Sequence, residues 1–352
     1  MAPEAIYLNY ELAFMEKHAV IIGDGTMATA LAATVARNGH EAVLWSQDST
    51  LVASINHSHQ HTRHFPSYIL PSKLTATTEL AEAVPGAAIL IMAVKSENVR
   101  LVALDLFPHL THDACVLSAT KGVDVSTKRF MSRVISDALQ TRRIGIISGP
   151  NITIDIMNEA PTAILIAAED QTVIDAGRQC LESMSLKVFG STDLTGVEAL
   201  SVIKNIVAIA AGLAINLGDN ARSYIVSLGL AEIQALARAL GARPESSGGL
   251  ADIGEVFLSS TSKHSRNHMI GVDIANGAKL PDLLSALDAL NETAEGVNAV
   301  QVSRDLARSA GISMPLAECV YEILFDNKPA GETLREFLSD KKAAKWLSSA
   351  AA

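Results

Sequence analysis

The chain of 352 residues is long enough for two domains and a sizeable hydrophobic core. Its formal net charge of −10 argues against a nucleic-acid-binding protein, because such proteins neutralise phosphates with clustered lysine and arginine. The three cysteines, Cys115, Cys180 and Cys319, are far apart and lack the spacing of metal ligands. They predict packed, reduced thiols, no bound metal and a cytoplasmic location.

The N-terminal end and the apolar segments bear on the membrane question. Residues 1–17 lack the layout of a signal peptide and are interpreted as a short N-terminal extension. The longest apolar run near the centre, Ile206–Ile215, is too short to cross a membrane. No membrane span is therefore expected.

The first recognisable unit is a strand, a glycine-rich turn, a helix and a second strand. The apolar strand Ala19–Ile22 leads into GDGTMA (residues 23–28), and the second strand is predicted at Glu41–Trp45. The first glycine of such a turn permits a tight bend, the second lets the backbone approach a pyrophosphate, and Ala28 lets the helix pack closely. The N–H groups of the helix N-terminus then face the phosphates. The pattern predicts dinucleotide binding, and a structural turn in another kind of α/β protein is the alternative.

Strand and helix patterns alternate through the first half of the chain. A helix is predicted at Ser126–Leu139. Five further apolar runs are typical of buried parallel strands: Ala87–Val94, Ala114–Ser118, Arg143–Ser148, Thr162–Ala167 and Leu186–Phe189.

The pattern becomes helical after about Gly196. Helical segments are predicted at Val197–Leu240, with a break near residues 218–220, and at Pro281–Ala310 and Pro315–Phe325. The expected fold is therefore an N-terminal Rossmann-type α/β domain with a doubly wound sheet (residues 18–195), followed by an all-α C-terminal domain (residues 196–352).

Lys204 and Asn205 lie inside the apolar helix predicted at Gly196–Ile215. Burial lowers the pKa of a lysine toward neutrality, which suits a general acid or base. The alternatives are a lysine that extends from a helix edge into solvent and an asparagine whose amide serves helix packing.

Three loops carry further polar candidates. Thr120-Lys121-Gly122 and Ser148-Gly149-Pro150 each follow a predicted strand, at the sheet edge where ligands bind in this architecture. In Ser265-Arg266-Asn267, the guanidinium offers a planar fork for phosphate and its neighbours offer neutral donors. A solvated surface turn is the alternative for this last segment.

In combination, these motifs resemble the NAD(P)-dependent sn-glycerol-3-phosphate dehydrogenases over residues 18–330. The segments that carry the resemblance are GDGTMA at Gly23, TKG at Thr120, SGP at Ser148, GVE at Gly196, KN at Lys204, NAR at Asn220, GLAE at Gly229, SRN at Ser265 and EG at Glu295.

The resemblance implies roles for individual residues. Lys204 would be the general acid in ketone reduction and the base in the reverse direction, and Lys121 would hold the substrate and orient Lys204. The substrate-binding residues implied are Lys121, Gly149, Lys204, Glu255 and the phosphate-gripping Ser265, Arg266 and Asn267. The cofactor-binding residues implied are Gly23, Gly25, Thr26, Met27, Ala28, Gln47, Lys121, Thr153, Arg266 and Glu295.

Three departures from the family pattern bear on the substrate. Glu255 stands where the family has aspartate, Ser259 where it has threonine, and Ile154 where it has lysine. One hypothesis is interconversion of dihydroxyacetone phosphate and sn-glycerol 3-phosphate. A second is reduction of another small keto-phosphate or keto-phosphonate, such as a 2-oxoalkylphosphonate, in secondary metabolism. A third, of another class, is a non-catalytic NAD(P)-sensing protein.

The end of the second strand bears on the choice of cofactor. NAD-selective sites place an acid there to bind the ribose diol. The sequence Trp45-Ser46-Gln47-Asp48 has neither an acid directly after the strand nor an arginine for a 2′-phosphate. Asp48 is expected to cap the next helix, and contact with the ribose is the alternative. The absence of an acid directly after the strand favours NADP over NAD, and the apolar helical domain favours a homodimer.

Overall fold

The computed structural model describes residues 18–289 and 295–350, so the predicted extension at residues 1–17 lies outside the described residues. The chain forms two compact units. The first contains the described residues up to Thr120 together with Met131–Leu194, and the second contains Lys121–Phe130 together with the residues from Thr195 onward.

The secondary-structure elements alternate as predicted in the first half and are helical in the second. The strands are β1 Ala19–Ile22, β2 Ala42–Trp45, β3 Leu74–Thr77, β4 Ile89–Met92, β5 Cys115–Ser118, β6 Val123–Asp124, β7 Arg129–Phe130, β8 Ile144–Ser148, β9 Thr162–Ala168 and β10 Leu186–Ser191. The α-helices of the first unit are α1 Thr26–Arg37, α2 Ser49–Ser58, α3 Leu80–Ala83, α4 Val99–Leu106, α5 Met131–Leu139, α6 Thr153–Met157 and α7 Gln171–Leu181. The helices that follow are α8 Leu194–Leu213, α9 Asp219–Ala239, α10 Glu255–Thr261, α11 Arg266–Ala275, α12 Leu280–Ala289, α13 Glu295–Ala310, α14 Pro315–Phe325, α15 Ala330–Ser339 and α16 Lys341–Ala350.

The first unit is built on an eight-stranded sheet with the order β10-β9-β8-β5-β4-β1-β2-β3. Alternate residues of β1 belong to different clusters, Ala19 and Ile21 to one and Val20 and Ile22 to the other. Both faces of the sheet are therefore covered, as a doubly wound sheet requires. The predicted Rossmann-type fold class is confirmed.

Two features of the sheet differ from the prediction. β9 runs antiparallel to β8, although both were expected to be parallel strands. The link between them, residues 149–161, holds only the five-residue helix α6, so the chain turns back at the same edge of the sheet. In addition, β3 was not predicted, because it is an edge strand whose LTAT sequence has only two buried residues.

The predicted helix at Ser126–Leu139 is wrong in its first part. The chain forms the antiparallel hairpin β6–β7, and the helix begins only at Met131. The reason lies in Asp124, whose Oδ1 accepts hydrogen bonds from Ser126 Oγ at 2.5 Å and Thr127 N at 2.9 Å. This turn, completed by Lys128 at φ 56°, competes with helix formation.

The second unit is helical apart from the hairpin, within the part of the chain that the structure describes. Val123 of the hairpin packs in a small apolar cluster with Val202, Ala299 and Val302. Helix α8 is long and apolar enough to cross a membrane, with a mean hydropathy of 1.6, but its apolar window is entirely buried inside the protein. Such burial is typical of a core helix. Predicted helices at Val197–Leu240 and Pro315–Phe325 are present as α8, α9 and α14, and residues 290–294 lie outside the described residues.

Candidate active site

The glycine-rich turn of the first unit has the geometry that a dinucleotide needs. Gly23 has φ +120°, and a Cβ there would lie 2.7 Å from the carbonyl oxygen of Ala93. Gly25 is the N-cap of α1, where no side chain of the described residues caps the helix and an added Cβ would meet nothing within 4 Å. First-turn N–H groups without a side-chain acceptor, next to open space, suit a pyrophosphate.

The residues after Gly25 divide between solvent and core. Thr26 is exposed and Met27 half-buried, so both lie at the rim of the turn. Ala28 is fully buried, as expected for the position where the helix packs on the sheet. The residues present therefore fit a bound dinucleotide.

Other predicted residues of the first unit lie at the ends of strands or at the start of a helix. Gln47 is exposed just after β2. Gly149 is buried after β8 with φ +98°, and a Cβ there would lie 3.2 Å from Ile164 Cα, so this glycine is needed by the turn. Thr153 is the half-buried first residue of α6, and the neighbouring Ile154 packs against the core.

The end of β2 differs from the prediction. Asp48 caps α2, as predicted, with its Oδ1 accepting hydrogen bonds from Thr50 N at 3.0 Å and Leu51 N at 3.1 Å. The residues directly after the strand supply neither an acid nor an arginine, as described, but the tertiary fold brings one of each to this strand end. Asp24 and Arg63, which are distant from it in sequence, both reach it in the structure.

The central feature of the second unit is a buried lysine. Lys204 lies in the middle of α8 and is only 6% exposed, so it does not extend into solvent. Its Nζ donates hydrogen bonds to Glu255 Oε2 at 2.6 Å and to Ser259 Oγ at 2.7 Å. Asn205 is also buried and lies close to Gly296. Lys204 is thus desolvated and bound to a carboxylate, as a residue prepared for proton transfer would be.

Glu255 joins two lysines. Its Oε1 accepts a short hydrogen bond from Lys121 Nζ, and its Oε2 accepts the one from Lys204. Burial lowers the pKa of Lys204, although the negative charge of Glu255 opposes this effect. Burial by itself would raise the pKa of Glu255, but the ammonium groups of Lys121 and Lys204 together lower it. Two ammonium groups share one carboxylate, so the cluster has an excess of positive charge.

The loop before α10 fixes the position of Glu255. A π-helical turn, Leu250–Gly254, leads directly into α10, whose first residue is Glu255. The turn is organised by the fully buried Asp252, which accepts hydrogen bonds from Gly248 N at 2.8 Å, Gly249 N at 2.9 Å and Ile253 N at 2.7 Å. The carboxylate that bridges the lysines is therefore held at the start of a helix by a second, buried carboxylate.

Ser265, Arg266 and Asn267 form the N-terminus of α11. Ser265 is the N-cap, with its Oγ accepting a hydrogen bond from His268 N at 3.3 Å, and Arg266 is exposed. Asn267 Oδ1 accepts a hydrogen bond from Gly296 N at 3.1 Å. These contacts use acceptor atoms, and the groups not used in them are the Ser265 hydroxyl proton and the Asn267 amide N–H groups. A helix N-terminus with such donors suits an anion.

Glu295 interacts electrostatically with Arg266 of α11 and with the lysines Lys121 and Lys204. Burial raises the pKa of this half-buried residue, against the opposing positive charges of Arg266, Lys121 and Lys204. The predicted residues Lys121, Lys204, Glu255, Arg266 and Glu295 are therefore brought into mutual electrostatic range within the second unit. Three cations face two carboxylates in a chain whose formal net charge is −10.

Two glycines bring the helices of this cluster together. An added Cβ at Gly212 of α8 would overlap the carbonyl oxygen of His268, and one at Gly271 of α11 would overlap that of Ile209. The backbones of α8 and α11 therefore cross in direct contact, which fixes Lys204 relative to Arg266.

Two polar residues, Ser259 and Asp252, were not among the predicted site residues, and Ser259 was noted only as a departure that bears on the substrate. Ser259 binds Lys204 directly, and its position one helical turn after Glu255 is the sequence signal that could have indicated this. Asp252 organises the turn before Glu255 by accepting hydrogen bonds from backbone N–H groups. The only sequence feature that could have indicated this role is a carboxylate close to glycines in an apolar segment.

The fold and this site define an NAD(P)-dependent dehydrogenase, an oxidoreductase that acts on CH–OH groups. Residues 18–174 match the profile described as NAD-dependent glycerol-3-phosphate dehydrogenase N-terminus, and residues 193–335 match that of its C-terminus. The chain belongs to the NAD-dependent glycerol-3-phosphate dehydrogenase family.

Individual relatives agree with this assignment. The chain is 34% identical over 323 residues to the glycerol-3-phosphate dehydrogenase [NAD(P)+] of an Exiguobacterium species, covering 90% of this chain and 94% of that protein. It is 34% identical over 327 residues to the enzyme of the same name from Alcanivorax borkumensis, covering 92% and 94%. The crystal structure of glycerol-3-phosphate dehydrogenase from Coxiella burnetii matches with a TM-score of 0.84 and 28% identity, covering 92% of this chain and 99% of that one.

The comparisons confirm four predictions: the family, the fold class, the class of enzyme and the use of NAD or NADP. An enzyme, rather than a non-catalytic sensor, is therefore supported. The three cysteines are buried and unpaired, as predicted.

Proposed function

We propose that this chain interconverts dihydroxyacetone phosphate and sn-glycerol 3-phosphate with NAD(P)(H). The observation that carries the proposal is the buried Lys204, bound to Glu255 and Ser259 in a cluster with an excess of positive charge. A substrate with a phosphate and a ketone needs a cationic site and a proton donor, and this cluster supplies both.

In the reduction, Lys204 gives a proton from Nζ to the carbonyl oxygen as the alcohol forms, and in the oxidation it takes that proton back. When bound, the nicotinamide would supply the hydride. Glu255 holds the ammonium of Lys204 in place, and Lys121 shares the same carboxylate and contacts the substrate. The lowered pKa of Lys204 brings its proton transfer closer to neutral pH.

The phosphate is held by the N-terminus of α11. Arg266 supplies a charged, bidentate donor, and the Ser265 hydroxyl and the Asn267 amide add neutral donors. Gly23, Gly25, Thr26 and Met27 are proposed to hold the cofactor phosphates, with Ala28 packing beneath them. Gln47, Lys121, Thr153, Arg266 and Glu295 complete the proposed cofactor contacts, and Gly149 shapes the turn beside the substrate.

A second candidate is a related keto-phosphate or keto-phosphonate that lacks the terminal hydroxyl. Both carboxylate oxygens of Glu255 bind lysines, and Ser259 accepts from Lys204. These contacts occupy two of the three side chains in which this chain departs from the family, Glu255 and Ser259, and they reduce what is available to bind a further substrate hydroxyl.

Steady-state assays with the purified protein separate these candidates. Dihydroxyacetone phosphate should be reduced with a kcat/KM at least about tenfold above those of small 2-oxoalkylphosphonates. Turnover of a phosphonate with dihydroxyacetone phosphate left unreduced would favour the second candidate. Lys204→Met should lower kcat by about 100-fold or more, whereas Lys328→Met, which changes an exposed ion pair with Glu322, should leave it unchanged. Full activity of Lys204→Met would remove this lysine from the mechanism.

The phosphate grip has its own test. Arg266→Ala should raise the KM for dihydroxyacetone phosphate at least about tenfold by removing a bidentate, charged contact. Arg308→Ala removes an arginine from an exposed pair with Glu318 and should leave the KM unchanged. An unchanged KM in Arg266→Ala would contradict the role of this arginine.

We also propose a cytoplasmic homodimer. The unpaired, buried cysteines are consistent with a reducing compartment. Leu101, Leu104 and Phe107 are exposed apolar residues at and just after α4 and are candidates for a subunit contact. Light scattering of the purified protein would test the dimer, and a monomeric mass at micromolar concentration would refute it.

A further inference from the structure

The carboxylate of Asp24 lies at the end of β2, although it belongs to the glycine-rich turn after β1. Asp24 Oδ2 accepts a hydrogen bond from Ser46 Oγ at 2.5 Å, and Ser46 directly follows β2. The backbone holds the two strand ends together, because Gly23 N donates to the Trp45 carbonyl oxygen at 3.0 Å. Ser46 Oγ in turn accepts from Asp48 N at 3.0 Å, so Ser46 is held on both sides.

This position is the one where NAD-selective sites of this architecture place an acid. There the carboxylate accepts hydrogen bonds from the hydroxyls of the adenosine ribose. Ser46 occupies the usual place in sequence and has no charge, but Asp24 brings a carboxylate to within hydrogen-bond distance of it. The side chain of Asp24 is 28% exposed, so part of it can be reached by a ligand.

The surrounding charges oppose a 2′-phosphate. Arg63 Nη2 contacts Asp24 Oδ2 at 3.4 Å and Asp48 Oδ2 at 3.2 Å, so its guanidinium is shared between two carboxylates. The two carboxylates and one guanidinium together carry a net charge of −1. A phosphate monoester carries a charge of about −1.5 to −2 at neutral pH, so bringing one to this cluster would set like charges against each other. A ribose diol would bring only hydroxyl donors.

The loop that carries Arg63 is itself fixed to the turn. The buried His61 is within hydrogen-bond distance of the Asp24 carbonyl oxygen, with its Nε2 at 2.9 Å. Burial lowers the pKa of His61, so this ring does not add a positive charge near neutral pH. The backbone N–H of His64 donates to His61 Nδ1 at 3.1 Å, which fixes the tautomer with the proton on Nε2.

We propose that Asp24 is the ribose-binding carboxylate of this protein and makes it select NAD(H) over NADP(H). This reverses the preference predicted from the residues that follow β2. It rests on the proposed placement of the cofactor at the glycine-rich turn, and it does not depend on which ketone is the substrate.

The test is direct binding, measured without substrate by titration calorimetry or by the fluorescence of the reduced dinucleotide. The unsubstituted protein should bind NADH at least about tenfold more tightly than NADPH. Asp24→Asn keeps an acceptor for Ser46 but removes the charge. It should raise the Kd for NADH about tenfold or more, in line with loss of charged hydrogen bonds, while the Kd for NADPH stays the same or falls.

Asp48→Asn is the matched control, because asparagine also caps helices well and the substitution removes one negative charge from the same cluster. It should change the Kd for NADH by less than about twofold to threefold, because the Asp48 carboxylate is bound by the N–H groups of Thr50 and Leu51. The Kd for NADPH should stay the same or fall, as in Asp24→Asn. Equal effects of Asp24→Asn and Asp48→Asn on the Kd for NADH would show that net charge, rather than the Asp24 carboxylate, determines the binding of NADH, and would overturn the proposal.

Two other results would also overturn it. One is tighter or equal binding of NADPH by the unsubstituted protein. The other is an Arg63→Gln variant that loses affinity for NADPH alone, which would make Arg63 a phosphate ligand. If NADH binds as expected but dihydroxyacetone phosphate is not reduced, only the substrate proposal fails. If neither dinucleotide binds, the placement of the cofactor fails with it.

Discussion

Replacing Glu255 by glutamine tests how the buried cluster works. The substitution keeps the shape of the side chain and removes the one negative charge that Lys121 and Lys204 share. Removing one partner of a buried ion pair costs about 3–5 kcal/mol. Glutamine still offers one acceptor oxygen and Lys121 is partly exposed, so we expect a loss of about 3 kcal/mol in the free energy of unfolding, at the lower end of that range.

The same substitution should change the pH dependence of catalysis. The charge of Glu255 raises the pKa of Lys204 and opposes the effect of burial, so its removal lowers that pKa further. Reduction needs the protonated lysine. The alkaline limb of kcat/KM for ketone reduction should therefore move to lower pH.

Thermal unfolding and the pH profile of cofactor oxidation measure the two effects. Glu255→Asp keeps the charge and provides a variant that folds if the glutamine variant does not; it should retain the alkaline limb near its original pH. Glu318→Gln removes a carboxylate from a half-exposed pair with Arg304 and should leave both measurements nearly unchanged. An active Glu255→Gln enzyme whose alkaline limb is unmoved, or moves to higher pH, would refute the reasoning.

Two further predictions concern the packing that supports the site. Gly271→Ala places a Cβ against the backbone of α8 and should destabilise the protein by about 3 kcal/mol or more. The control, Gly331→Ala, lies in an open helical position and should be neutral or stabilising by about 0.5–1 kcal/mol. Equal melting temperatures for the two variants would contradict the close crossing of α8 and α11. Burial raises the pKa of Glu232 from 4.5 to about 8, so the stability due to its protonated form is fully present below pH 4.5 and is lost as the pH rises through about 8. Glu232→Gln cannot ionise. It should be less stable at pH 6 by about 1–2 kcal/mol, because its amide faces the Ala317 or Leu316 N–H. It should also lack the decline in stability between about pH 4.5 and 8 that denaturant titrations of the unsubstituted protein should show.

Much of the fold could be predicted because burial on both faces of a sheet leaves continuous apolar runs. β1, β4 and β8 are such runs, and all of their residues are buried. β3 could not be predicted in this way, because at the edge of the sheet only half of its residues need be apolar. The direction of β9 could not be predicted either, because an apolar run has the same pattern in a parallel and in an antiparallel strand.

The candidate site, too, could be predicted from the sequence only in part. A lysine between isoleucines in an apolar helix indicated burial, and Lys204 is buried. Its partner could not be found from spacing, because Glu255 is 51 residues away and only the tertiary fold brings it to Nζ. The same limit applies at β2, where a search for an acid after the strand misses Asp24, which reaches Ser46 from 22 residues earlier.

The assignment of Lys121–Phe130 to the second unit has a consequence for dividing this protein into parts. A shortened chain ending at Leu194 would contain the hairpin without Val202, Ala299 and Val302, and would leave Val123 without its apolar neighbours. A chimera made with a relative at a single junction near residue 194 would likewise combine the hairpin of one protein with the helices of the other. Such exchanges should have three junctions, near residues 120, 130 and 194, so that Lys121 always travels with the glutamate to which it is bound.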